Sequence, residues 1–236
     1  MCKSRSAVFR GRHFREEIIV LCVRWYLRYP LSYRDLEEMM AERGLTVDHS
    51  TIARWVVHYS PILEKRIRRE MRQPNGSWRV DETYIRVAGR WTYLYRAVDS
   101  AGDTIEVLLS PYRDRMAAKG FLQLALTGRN RPRVINVDGH PAYPSVINEL
   151  RATGQRGPRC RCRPSPYLNN RIEQDHRFLK KRVVASQWFR SVKGALNTIA
   201  GYEAMNIIRK GQIRWLAKHD IVGQVRFVKQ MFGLTA

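Results

Sequence analysis

Three acidic residues, Asp81, Asp138 and Glu173, stand where a carboxylate is costly unless it has a task. Asp81 lies inside the run Trp-Arg-Val-Asp-Glu-Thr-Tyr, which predicts a strand. A charge there weakens a core strand unless something compensates it. Asp138 closes the apolar run Val134-Ile135-Asn136-Val137, and Glu173 falls in the first turn of a helix predicted from about Asn170. Strand ends and helix starts are where side chains from distant segments converge on one cleft. Carboxylates brought within about 4 Å repel by roughly 4 kcal/mol per pair at an effective dielectric of about 20, so an empty cluster is unfavourable. Hard oxygen donors of this charge suit Mg²⁺ or Mn²⁺, and the expectation is two ions shared by Asp81, Asp138 and Glu173. Such a pair activates an attacking oxygen and stabilises the leaving one in an in-line displacement at phosphorus.

Each acid also has an ordinary explanation. Asp81 can pair with Arg79 or Arg96, Asp138-Gly139 can be a plain turn, and Asn170 with Glu173 can be a helix-capping pair. Singly those explanations are favoured; the three together point to a metal. Arg177 and Lys180 follow Glu173 by one and two helical turns, so one face offers an acid to metal and two bases to phosphate. The plain alternative is an i to i+4 surface pair of Glu173 with Arg177.

The elements that must position these residues can be read from periodicity. Residues 14–29 carry an apolar stripe at steps of three and four and stop before Pro30. Ser32 reads as an N-cap with Asp35 three residues on, and Gly44 suits the left-handed position that ends the second helix. A third helix, capped by Asp48 or Ser50 and running through about Tyr59, buries Ile52, Val56 and Tyr59. It turns Thr51, Arg54 and His58 to another face. This is a helix-turn-helix pattern, and those three residues are its candidate DNA contacts. The basic stretch 65–72 reads as helix end, and the Gln-Pro-Asn-Gly-Ser run after it as a linker.

Beyond residue 75 three β-rich runs, 78–87, 91–99 and 104–110, predict an antiparallel meander. A helix over 114–126, a strand over 133–137, a helix over 143–151, a short strand within 154–166 and a helix over 170–184 follow. This order is the mixed-sheet α/β pattern of a ribonuclease-H-like core. Helical stretches over 190–211 and 213–232 close the chain. The expected domains are therefore 1–75, 76–185, and a basic helical segment 186–236 that completes the core.

The formal charge is +22, from 43 Lys and Arg against 21 Asp and Glu, which calls for a polyanionic partner. Residues 158–236 are the most basic third, with 16 basic against 4 acidic side chains. The longest apolar run, residues 18–23, ends at Arg24 and is too short to span a bilayer, so the expected place is the cytoplasm, beside nucleic acid. Cys160-Arg161-Cys162 lacks the spacing and the second half of a zinc site, so free thiols are expected.

The runs Trp-Arg-Val-Asp-Glu-Thr-Tyr, Val-Ile-Asn-Val-Asp and Asn-Asn-Arg-Ile-Glu-Gln-Asp-His-Arg-Phe-Leu-Lys resemble the signatures of DDE transposases. The chain is similar over essentially its whole length to the insertion-sequence-six family. The likeness includes Arg-Trp-Tyr-Leu-Arg-Tyr-Pro near the start, Ile-Arg-Lys-Gly-Gln near residue 210, and the 34 residues between Asp138 and Glu173. The resemblance implies catalytic roles for Asp81, Asp138 and Glu173, and a supporting basic role for Lys180. It implies a ribonuclease-H-like fold with a helix-turn-helix that binds terminal inverted repeats, and replicative, cointegrate-forming movement. A homodimer or larger assembly is expected, because transposition holds two DNA ends together.

Gly139 departs from the family, which commonly carries Lys after the second aspartate, and that departure leaves an inactive copy as one alternative. The other is a non-catalytic repressor that uses only the helix-turn-helix. A covalent tyrosine or serine recombinase lacks the basic and histidine constellation it needs.

Overall fold

Alternating apolar residues draw the middle of the chain into a meander of β1 (Ser77–Val87), β2 (Arg90–Asp99) and β3 (Thr104–Ser110), paired antiparallel. In the computed structural model, which describes residues 7–127, 131–138, 141–154, 160–165, 170–186 and 189–234, this sheet belongs to one of two compact units. The sheet unit is Gln73–Lys180, and the other joins Met1–Arg72 to Lys181–Ala236.

The β1–β2 turn sets Ala88 and Gly89 at φ 49° and 77°, the two-residue turn whose twist matches paired strands. Asp99 ties the next turn to the start of β1, its carboxylate accepting the amides of Asn75, Ala101 and Asp103 at 2.8, 2.8 and 2.9 Å. α4 (Arg115–Leu126) starts at Asp114, whose side chain accepts from the Ala117 amide. β4 (Val134–Val137) then pairs parallel to β1, α5 (Ala142–Ala152) follows, and β5 (Arg161–Pro164) pairs parallel to β4. The sheet order is β3-β2-β1-β4-β5, a ribonuclease-H-like sheet. Its core packs Trp78, Val80, Tyr95, Ile135 and Val137 against Phe121, Tyr143 and Val146 of the two helices. Asn136 is the polar member of β4, and it donates to the Trp78 carbonyl at 2.8 Å. α6 (Asn170–Ala185) follows, and the division between units falls within it.

The second unit is helical. α1 (Glu16–Arg28), α2 (Tyr33–Ala41) and α3 (His49–Ile67) come from the start of the chain, and α7 (Val192–Lys210) and α8 (Ile221–Met231) from its end. Ser32 and Asp35 form the expected reciprocal cap, at 2.8 and 3.1 Å, and Gly44 is left-handed at φ 68°. α3 does not stop near Tyr59. It runs on through Pro61, because Leu63 and Ile67 extend the buried stripe of Ile52, Val56 and Tyr59. Proline has no N–H for the carbonyl four residues back. That carbonyl, on Val57, is satisfied instead by Asn197 Nδ2 of α7 at 2.9 Å.

The C-terminal segment 186–236, expected to complete the catalytic core, groups instead with α1–α3. Every residue of α7 from Gly201 to Ile208 is buried, Glu203 and Asn206 included, so this stretch must be covered on all sides. α1 and α3 supply that cover. A Cβ on Gly201 would lie 2.7 Å from Leu27 Cδ2 and 2.5 Å from Ser60 Oγ, so glycine alone permits this approach. Tyr26 stacks between Tyr33 and Tyr202, and Arg182 donates to the Arg28 carbonyl over the Tyr202 ring. No helix among the described residues is long and apolar enough to cross a membrane.

Candidate active site

Asp81 sits in β1 and Asp138 just past β4, and because those strands are adjacent and parallel, the two acids reach the same end of the sheet. Carboxylate oxygens of Asp81, Glu82 and Asp138 lie within 4.8 Å of one another. Neighbours on a strand normally face opposite sides. Here Asp81 folds back along the chain, with Oδ1 accepting the Glu82 amide at 2.9 Å. A second acidic group, Glu37, Asp48 and His49, lies in the helical unit. There Asp48 caps α3 and His49 Nδ1 is 3.0 Å from Glu37, an ordinary helix start.

The three acids of the sheet are not equivalent. The Glu82 side chain is only 3% exposed and accepts from Arg113 Nε at 2.6 Å and from the Tyr143 hydroxyl at 2.7 Å. Arg113 also brings Nη2 to 3.7 Å from Asp138. Its guanidinium is held above its usual pKa, chiefly by the Glu82 hydrogen bond. Burial, and then the Glu82 charge, pushes the Tyr143 phenol well above its ordinary value. Burial drives Tyr95 up to about 12, with the Glu82 and Asp114 charges adding to it. Glu82 is thus a neutralised, structural carboxylate. Asp81 and Asp138 keep more of their side chains open to solvent, 18% and 28%.

Glu173 is placed differently from the sequence expectation. It occupies the first turn of α6, but its side chain is 52% exposed and 3.6 Å from Arg177, the plain surface pairing, and it is not among the three clustered acids. α6 instead sends His176 to the site, with Nε2 3.4 Å from Asp81 Oδ2. Arg96, offered above as a partner for Asp81, has Nη1 3.4 Å from Asp175. Arg79 donates to the Asp99 carbonyl at 3.2 Å. Lys180 is not on hand beside Glu173; its ammonium lies 4.8 Å over the Tyr84 ring.

In the helical unit Arg54 donates to Thr51 Oγ1 at 2.8 Å, so these two candidate contacts share a face of α3. His58 is exposed one turn on, and partial burial and then the Arg12 charge lower its pKa. Gly139 lies outside the described residues. Among the described residues, Cys22, Cys160 and Cys162 are in no disulfide.

Sequence reasoning missed Glu82, Arg113, Tyr143 and His176. Two of these had a signal: Glu82 adjoins Asp81, and His176 follows Glu173 by three residues. Arg113 and Tyr143 had none, since only the strand crossover brings the segments before α4 and within α5 to β1.

A DDE-domain family model, DDE_Tnp_IS240, matches residues 75–212. The chain is 38% identical over 208 residues to the transposase for insertion sequence-like element IS431mec of Staphylococcus aureus, covering 88% of this chain and 91% of that one. The transposase for insertion sequence element IS257 in transposon Tn4003, also of Staphylococcus aureus, matches at the same identity and coverage. Among solved structures, the HTLV-2 integrase catalytic core domain in complex with magnesium matches at 18% identity and a TM-score of 0.43, over 62% of this chain and 97% of that one. A simian T-cell lymphotropic virus intasome chain matches at 21% identity and a TM-score of 0.45, over 59% and 51%.

Proposed function

Since the chain belongs to the DDE transposases of the insertion-sequence-six family, we propose that it cuts DNA at the ends of its insertion sequence and joins the freed 3′-hydroxyl to target DNA, forming a cointegrate. The observation that carries this reading is the approach of Asp81 and Asp138 on adjacent parallel strands. Their half-buried oxygens are hard donors and fit Mg²⁺ or Mn²⁺. Bound there with Glu173, two such ions would polarise the scissile phosphate and stabilise the leaving oxygen.

The chain's own residues prepare that site. Arg113 and Tyr143 already occupy the Glu82 carboxylate, which favours Asp81 and Asp138 as the donors from the sheet. His176 bears on Asp81 and restricts its orientation. Glu173 completes the set by leaving Arg177. An exposed pair of this kind is worth ~0.3–0.5 kcal/mol, so a divalent cation readily outcompetes it, and Arg177 is then available to a phosphate oxygen. Lys180 supports the phosphate from the same helix. Thr51, Arg54 and His58 on α3 read the terminal inverted repeats, the role of the helix-turn-helix within the helical unit. The working form is a homodimer or larger assembly on two DNA ends, beside the bacterial nucleoid.

Strand transfer on end-containing DNA with Mg²⁺ is the test. Asp81→Ala, Asp138→Ala and Glu173→Gln should each abolish product. Undiminished product in any of them would remove that residue from the catalytic set, and undiminished product in all three would overturn the reading.

A further inference from the structure

The turn after α7 builds a basic pocket of about 470 Å³, lined by Arg72, Lys210, Arg214, Trp215, Leu216 and Lys218 among others. We propose that this pocket holds an unpaired nucleotide of DNA, its base stacked on Trp215 and its phosphates against Arg214 and Lys218. The site lies wholly within the helical unit, away from the carboxylates in sequence and in unit. The proposal rests on the reading above only in taking DNA as the polyanion.

Trp215 is 68% exposed, and its indole makes no ring contact among the described residues. Of the other exposed aromatics, Tyr84 and Trp91 are engaged with each other and with cations. Trp91 meets Tyr84 edge-on at 5.0 Å, Arg86 lies over the Trp91 ring, and Lys180 lies over Tyr84.

The exposure of Trp215 belongs to an anchored loop. Ile213 and Leu216 on either side are buried, and Ile213 bridges to Met71. The Arg72 amide donates to the Gln212 carbonyl at 2.8 Å and the Arg214 amide to the Glu70 carbonyl at 3.3 Å. Gln224 Nε2 closes the far side on the Lys218 carbonyl at 2.8 Å. Gly211, left-handed at φ 72°, lets the loop fold back so tightly that a Cβ there would lie 3.1 Å from Lys218 N.

Four basic side chains and no carboxylate line the pocket. Cations beside a free aromatic face are the chemistry that binds single strands, since the cations follow the backbone and every base offers a π-face. Bases inside a duplex have both faces stacked, so an unpaired nucleotide is the fitting occupant.

The test measures anisotropy of a labelled oligo-dT of about twelve nucleotides, and of a duplex of that length, on the full chain in chelator. Nothing is cut under those conditions, so the outcome is independent of the carboxylates. Trp215→Ala should weaken single-strand binding about tenfold or more, Trp215→Phe should keep most of it, and duplex affinity should hold. Arg214→Ala with Lys218→Ala should lower the slope of log affinity against log salt by about 1.4, for two phosphate contacts. Should Trp215→Ala lose its helical circular dichroism, the Phe and double-charge variants decide. Parent-like single-strand affinity in Trp215→Ala would overturn the proposal. So would an equal loss on duplex, or an unchanged affinity with a shifted oligomeric mass, which would make Trp215 a contact between copies of this chain.

Discussion

His176 places Nε2 3.4 Å from Asp81 Oδ2, from a side chain that is 8% exposed and whose ring nitrogens make no hydrogen bond among the described residues. A buried imidazole against a half-buried carboxylate restricts where that carboxylate points. Groups behind a metal ligand typically govern tenfold to a hundredfold in affinity or rate.

His176→Ala should therefore lower strand transfer by about ten- to a hundredfold and raise the Mg²⁺ concentration needed for half-maximal rate. His176→Asn, which keeps a polar atom near Asp81, should recover part of the loss. An unshifted Mg²⁺ titration in both variants would assign His176 to packing alone.

Arg113 serves Glu82 first and Asp138 second, at 2.6 and 3.7 Å. Arg113→Ala leaves the buried Glu82 carboxylate with Tyr143 alone, and urea unfolding should show a loss of about 1–3 kcal/mol. Glu82→Gln still accepts from Tyr143 and should cost less. Strand transfer surviving in Glu82→Gln, but not in Asp81→Asn, would assign Glu82 to structure and Asp81 to catalysis. Equal loss in both would add Glu82 to the catalytic set.

Asn197 answers the Val57 carbonyl that Pro61 leaves without its helical donor. Asn197→Ala should cost about 1–3 kcal/mol in the parent. In a Pro61→Ala background the helix supplies its own N–H, so the same change should cost markedly less. A double-mutant cycle in thermal unfolding reads this coupling directly, and additive losses would refute it.

Tyr95 and Tyr143 both have phenol pKa values raised in the folded state, Tyr95 to about 12. The native form then holds its phenol protons where the unfolded chain, near the ordinary value of about 10, releases them. The stability they contribute is fully present below that value and is lost as pH climbs toward about 12. Tyrosinate absorbance should show a late phase that coincides with loss of helical signal. A late phase absent from the titration would contradict the burial argument.

Local patterns made much of this protein legible before any tertiary contact was known. The alternation of Trp78 and Val80, the Ser32–Asp35 cap and the left-handed Gly44 are properties of adjacent residues, and short-range sterics and hydrogen bonding act on them wherever the chain goes. The same locality explains why Asp81 and Asp138 could be singled out as acids in strand contexts that ordinarily reject charge. Partnership is another matter. That Glu82 is neutralised by Arg113 and Tyr143, that His176 and not Glu173 faces Asp81, and that α7 packs with α3 are decided by which surfaces meet. Such contacts join residues far apart along the chain, 140 apart for Asn197 and Val57, and packing selects them only once the whole fold closes.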